Sequence, residues 1–148
     1  MGMEPASSKT APLLAIPLFA NRSTELGVES VMANAMIQAF SQTNAVRLTT
    51  KSQDADLVLE GKVASVENSS VAFNDIQRSS VRRVTIKVEV VLKRPSSGKL
   101  VWKDAVIIYE DYVVDPNYHI GETLKGQGIR RAAVTLAQRI MDKVLLVI

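Results

Sequence analysis

Residues 83–111 read Arg83-Val-Thr-Ile-Lys-Val-Glu-Val-Val-Leu-Lys-Arg94, then Pro95-Ser-Ser-Gly98, then Lys99-Leu-Val-Trp-Lys-Asp-Ala-Val-Ile-Ile-Tyr-Glu-Asp111. Two β-branched runs flank a short Pro/Ser/Gly connection, which predicts a hairpin: proline presets the first turn dihedral and glycine accepts the positive φ that closes it. In the first run Val84, Ile86, Val88, Val90 and Leu92 take every second position, with Arg83, Thr85, Lys87, Glu89 and Lys93 in the alternate set. One face is therefore apolar and the other wet, the pattern of an antiparallel sheet packed on one side only. In the second run Trp102, Val106 and Ile108 continue the buried face. Ala105, Ile107 and Tyr109 are also apolar there, so this strand is expected either to carry a bulge or to be two-sided.

Outward from this hairpin the chain reads in both directions as one packed unit. Residues 1–11 are small and polar, a mobile lead-in or linker, and 12–148 form a single expected domain. Met1-Gly2-Met3 reads as an added start, with a natural targeting segment expected ahead of it. Leu13–Phe19 is a short buried strand that ends at, or is placed on an edge by, Pro17. From Gly27 to Gln42, Val28, Val31, Met32, Ala35, Met36, Ala39 and Phe40 recur at helical spacing, and this methionine stripe reads as core before it reads as a binding groove. Val46–Thr50 and Leu57 to about Glu67 are strands, and Val71–Phe73 can extend the second. Two long strands are thus expected to project past the core to a tip near Asn74–Ser80, carrying Phe73 and Ile76 beside Arg78, Arg82 and Arg83. After a break at Val113–Tyr118, the segment 119–128, with Gly121, Gly126 and Gly128, reads as a loop or frayed helix start. A second amphipathic helix follows from Ile129. Two helical stripes against one apolar sheet face make an α+β two-layer sandwich.

Composition narrows the function. The chain of 148 residues has 47% apolar and 22% charged residues, no cysteine and one histidine. Disulfides and thiolate metal sites are excluded, and His119 has few partners for nucleophilic chemistry. Gly121-Glu-Thr-Leu-Lys-Gly126-Gln-Gly128 is not a phosphate loop, because Lys125 precedes its glycine and no hydroxyl follows. Asp54-Ala-Asp56 and Glu110-Asp111 lack a histidine or third acid at ligand spacing. No enzyme signature and no cofactor site emerge. Net charge is +3, yet residues 78–103 hold eight basic residues against the one acid Glu89. A polyanionic partner fits that asymmetry; so does the blunting of strand edges by lysine and arginine. No aromatic residue interrupts 78–101, so base stacking on nucleic acid is not indicated.

The order of several motifs resembles the LptE family of lipopolysaccharide-assembly lipoproteins. It begins with Ile16-Pro-Leu-Phe-Ala-Asn-Arg-Ser23 and Gly27-Val-Glu29 opening a helix, and continues in Ala55-Asp-Leu-Val-Leu-Glu-Gly-Lys-Val63. The strand Val84–Leu92, Gly98-Lys-Leu-Val-Trp-Lys103, and the Asp115-Pro-Asn117 break before an Ala/Leu/Ile helix complete it. The resemblance implies two helices on one face of a mostly antiparallel four- or five-stranded sheet. It also implies an acylated N-terminal cysteine at the periplasmic side of the outer membrane, insertion as a plug into an LptD-like β-barrel, and binding of lipopolysaccharide. That cysteine is lacking here and is expected to precede residue 3 in the natural protein. By region, the implied lipopolysaccharide contacts are Arg78, Arg82, Arg83 and Lys125, types suited to lipid phosphates; their plainer role is to keep projecting strands soluble. The competing class is a periplasmic lipoprotein of the peptidoglycan-synthase-activator or secretion-pore type, which shares the opening strand and helix but alternates strands and helices further along.

Overall fold

The computed structural model describes residues 11–74, 79–114 and 116–148. Strands β1 (Leu13–Ala15) and β2 (Ala20–Asn21) precede helix α1 (Val28–Ser41), then β3 (Arg47–Thr49). Three long strands follow, β4 (Leu57–Asn74), β5 (Ser79–Arg94) and β6 (Lys99–Val113), and helix α2 (Tyr118–Val147) closes the chain. The six-stranded sheet runs β3-β1-β4-β5-β6, with β2 also on β4. It is mixed: β4, β5 and β6 form the expected antiparallel meander, whereas β1 runs parallel to β3 and β4, and β2 parallel to β4. The first strand stops at Ala15, two residues short of Pro17, whose missing N–H cannot join a ladder.

Periodicity translates directly into burial. Val84, Ile86, Val88, Val90 and Leu92 are all buried on the helix side of β5. Val28, Met32, Met36 and Phe40 line the buried face of α1, so its methionines are core. Ile129, Ala132, Ala133, Leu136, Ala137, Ile140 and Val144 do the same for α2, and all join one hydrophobic cluster with the inner sheet face.

Three departures matter. First, α2 begins at Tyr118, not near Ile129: the Asn117 side chain accepts hydrogen bonds from the backbone N–H groups of His119 and Ile120, and this cap carries the helix through its three glycines. Second, both explanations for β6 hold. Its register with β5 slips at Leu92/Lys93, leaving Val101 as a bulge, and beyond it Ile107 and Tyr109 stand exposed on the outer face. Third, β4 slips between Val63 and Ser65. Before this bulge the odd residues Leu57, Leu59, Gly61 and Val63 face the helices; after it Val66 and Asn68, paired with Ile86 and Val84, do.

Candidate functional site

The long strands run on past the body of the sheet, the last described pair being Asn74 with Ser79. On their inner face they approach the first turns of α2 and enclose a cleft of about 360 Å³, with Asn68, Arg82, Tyr112, Tyr118, Glu122 and Lys125 in its wall. Arg82 and Lys125, 43 positions apart, thus reach one site.

The β4 bulge builds the sheet side of this cleft. Were β4 to pair regularly through Ala64, with no bulge, Asn68 would face outward with Glu60 and Lys62. Turned inward, it donates through Nδ2 to the Tyr112 hydroxyl and accepts from Arg82 Nε at 2.9 Å. Longer contacts run from Arg82 Nη2 to the Asn68 carbonyl and from Nη1 to Ser70 Oγ, both 3.4 Å. These acceptors are all neutral, and among the described residues no carboxylate pairs with Arg82. Among the described residues nothing neutralises its charge, and two of its nitrogens are only loosely engaged.

Lys125 differs. Its Nζ lies 3.1 Å from Glu25 and 3.5 Å from Glu122. Partial burial pulls the ammonium pKa down, but the hydrogen bond and charge of Glu25, joined by Glu122, outweigh this and leave it above the ordinary lysine value. Tyr118 donates to Glu122 Oε1 at 3.3 Å, and Asn21 Nδ2 to the Glu25 carbonyl at 2.8 Å. A polar chain therefore ties the lead-in to α1 to the start of α2, with Lys125 at its centre.

Arg83 points to the opposite, outer face. Its Nε donates to Asp111 Oδ1 at 2.8 Å and its Nη2 to Oδ2 at 3.2 Å, while the guanidinium lies 3.9 Å over the Tyr109 ring. The Asp111 hydrogen bond holds the Arg83 pKa above, and the carboxyl below, their ordinary values. Arg82 and Arg83 cannot engage one ligand from one side of the sheet. Arg78 lies outside the described residues, as does Ile76. Among the described residues no group of three or more His, Asp or Glu can hold a metal, and no helix is long and apolar enough to cross a membrane.

Sequence reasoning passed over Asn68, Tyr112 and the Glu25/Glu122 pair. Tyr112 was within reach, since it continues the even-numbered buried set Val106 and Ile108. Asn68 was not, because its side depends on a bulge that no residue in the strand announces.

A family model described as LptE, lipopolysaccharide-assembly, matches residues 12–144. No curated protein sequence matches the chain. Several solved structures share its fold. Rare lipoprotein B from Shewanella oneidensis is 16% identical, covers 89% of this chain and 92% of its own, and superposes with a TM-score of 0.58. A protein from Xanthomonas campestris is 10% identical, with coverages of 97% and 90% and a TM-score of 0.66. A lipoprotein from Neisseria meningitidis is 13% identical, with coverages of 82% and 98% and a TM-score of 0.53. At these identities the likeness concerns the fold.

Proposed function

The chain belongs to the LptE lipopolysaccharide-assembly family, and from that premise we propose that it binds lipopolysaccharide at the Arg82 cleft while plugging an LptD-like β-barrel of the outer membrane. It does so without bond-making chemistry, assisting insertion of the lipid into the outer leaflet. Attachment to the periplasmic side of that membrane comes from the lipidated N-terminal cysteine that family membership implies.

One observation carries the reading: Arg82 is a cation without a carboxylate partner among the described residues, set in a cleft beside Tyr112 and Tyr118. A guanidinium with loosely held donors offers a fork to the phosphates of lipid A, and aromatic bodies offer apolar walls to its sugars and chains. Lys125 adds to the cleft, with Glu25 and Glu122 competing against an incoming phosphate for its ammonium. Arg83, committed to Asp111 on the other face, stands outside this cleft. The competing class calls for helices among the middle strands; here β4, β5 and β6 follow one another directly, which supports the assembly reading.

The test is lipopolysaccharide binding by Arg82→Glu and Arg83→Glu, measured beside thermal unfolding. A charge-assisted hydrogen bond is worth about 1.5–3 kcal/mol, so Arg82→Glu is expected to weaken binding roughly ten- to hundredfold. Its melting temperature should hardly move, and Arg83→Glu should cost less affinity. Undiminished binding by Arg82→Glu removes the cleft from the proposal. Co-purification from outer-membrane extracts tests the partner: a large barrel protein is expected, and a peptidoglycan synthase in its place would favour the competing class.

A further inference from the structure

Strand β6 is an edge of the sheet: β5 pairs with one side, and among the described residues nothing pairs with the other. In an antiparallel strand alternate residues aim both backbone groups away from the partner. Two contacts identify that outward set. The Ala105 N–H donates to Asp104 Oδ1 at 2.8 Å, and the Asp111 carbonyl accepts from Arg131 Nη2 at 3.2 Å. Pairing with β5 is regular from Trp102 to Val113, so Ile107 and Tyr109, lying between these two, also turn their N–H and C=O groups to the open edge. Natural edges are usually guarded against added strands; this one is guarded at Ala105 and Asp111 and open in the middle.

Beside the open stretch lies a hollow of about 400 Å³, lined by Glu110 of the strand and by Arg130, Arg131, Val134 and Thr135 of α2. Arg131 is engaged with Glu110 at 3.6 Å. Among the described residues no carboxylate pairs with Arg130, nor with Lys103 on the strand, and Val134 is 62% exposed. An edge strand with a helix set over a hollow is the geometry that accepts an extended peptide as an additional strand.

We propose that the β6 edge between Ala105 and Asp111 takes up an extended segment of a partner protein, acidic where its side chain enters the hollow beside Arg130 and β-branched on either side. Backbone bonds to Ile107 and Tyr109 supply the attraction, Arg130, which no carboxylate pairs among the described residues, selects the charge, and Asp104 and Arg131 end the pairing. An antiparallel second copy of β6, which would put both α2 helices on one face, does not fit. Helix α2 lies along β6, with Arg131 at Asp111 and Lys143 at Asp104. Paired strands sit about 4.8 Å apart, too near for two overlying helices that need roughly 8–10 Å.

The experiment titrates the isotope-labelled protein with a capped peptide, Thr-Val-Thr-Glu-Thr-Val-Thr, and with its twin carrying lysine for glutamate. Amide exchange at Ile107 and Tyr109 should slow with the glutamate peptide. That peptide should bind about fivefold more tightly than its twin, as one exposed ion pair allows. Arg130→Glu should reverse the preference. Ile107→Pro, tolerated where an edge N–H faces solvent, should abolish binding without lowering the melting temperature; if it fails to fold, Arg130→Glu decides alone. Unslowed amides at millimolar peptide, equal affinity for both peptides, or slowing of these amides by lipopolysaccharide instead of peptide would overturn the proposal.

Discussion

Replacing Gly61 with alanine would put a methyl carbon 2.3 Å from Phe19 Cζ and 2.4 and 2.6 Å from the two Cε atoms. Carbon atoms rest at about 3.5–4.0 Å, so the ring or the strand must retreat by more than an ångström. Neither has room. Phe19 is 2% exposed within the main cluster, and Gly61 is paired with Val90 in the middle of the sheet. Overpacking of this kind costs about 1–3 kcal/mol. Alanine restores roughly 0.4–1 kcal/mol by restricting the unfolded chain, where its conformation suits the native strand. The net expectation is a loss of about 1–2 kcal/mol, and a melting temperature lower by roughly 2–8 °C for a domain of this size. Urea and thermal unfolding followed by circular dichroism read it, provided two-state behaviour is confirmed by coincident probes. The interaction itself is tested in a Phe19→Leu background, where the smaller side chain vacates the space and Gly61→Ala should cost much less. A neutral Gly61→Ala, or costs that simply add in the double variant, would refute the claim that Gly61 is a seat for Phe19.

Two further outcomes follow from local contacts. Asn117→Ala removes the cap of α2 and is expected to cost about 1 kcal/mol, with faster amide exchange over residues 118–128 and little change beyond Ile129; uniform change along the helix would contradict a capping role. The Asp104 carboxyl is held below its ordinary pKa by the hydrogen bond from Lys143 Nζ, 2.6 Å away, then by the Ala105 N–H. Its folded pKa being the lower one, the stability it contributes is present above the ordinary aspartate value near 3.8 and is lost as pH falls through the folded value. The urea-midpoint gap between wild type and Asp104→Asn should therefore be present near neutral pH and close as pH falls through the lowered folded value; a gap that persists once the carboxyl is protonated would assign the effect to packing.

The two layers of the fold were legible because each depends on a period: two for β5, where Val84 to Leu92 all face the core, and 3.6 for α1 and for α2 beyond Ile129. The projecting strands were legible because few strong turn residues interrupt the chain between Glu67 and Asn74, so Val71–Phe73 could extend β4. What escaped depends on register or on distant partners. Three glycines outweighed the single cap at Asn117, so the first third of α2 read as a loop or a frayed helix start. The parallel pairing of β1 with β3 and β4 leaves no local trace. The bulge at Ala64 inserts one residue into a strand whose composition does not change, yet it decides that Asn68 meets Arg82 and Tyr112 instead of solvent.

The basic run from Arg78 to Lys103 shows why a charge count falls short of a site. Arg83 and Lys93, from the same face of β5, are matched across the strands by Asp111 at 2.8 Å and Glu60 at 2.7 Å. Arg82, one residue from Arg83, turns by the period of two to the inner face and, among the described residues, meets only amide, carbonyl and hydroxyl oxygens. Adjacent identical side chains thus differ in the quantity that matters to an anion: one guanidinium is already neutralised, and among the described residues nothing neutralises the other. An incoming phosphate must displace a carboxylate to reach Arg83 but only weak neutral acceptors to reach Arg82, so the balance of desolvation and charge favours the inner cleft. The anion recognition proposed for this chain accordingly depends on how β4 is bulged, because that places neutral Asn68 where an acidic residue would have paired with Arg82.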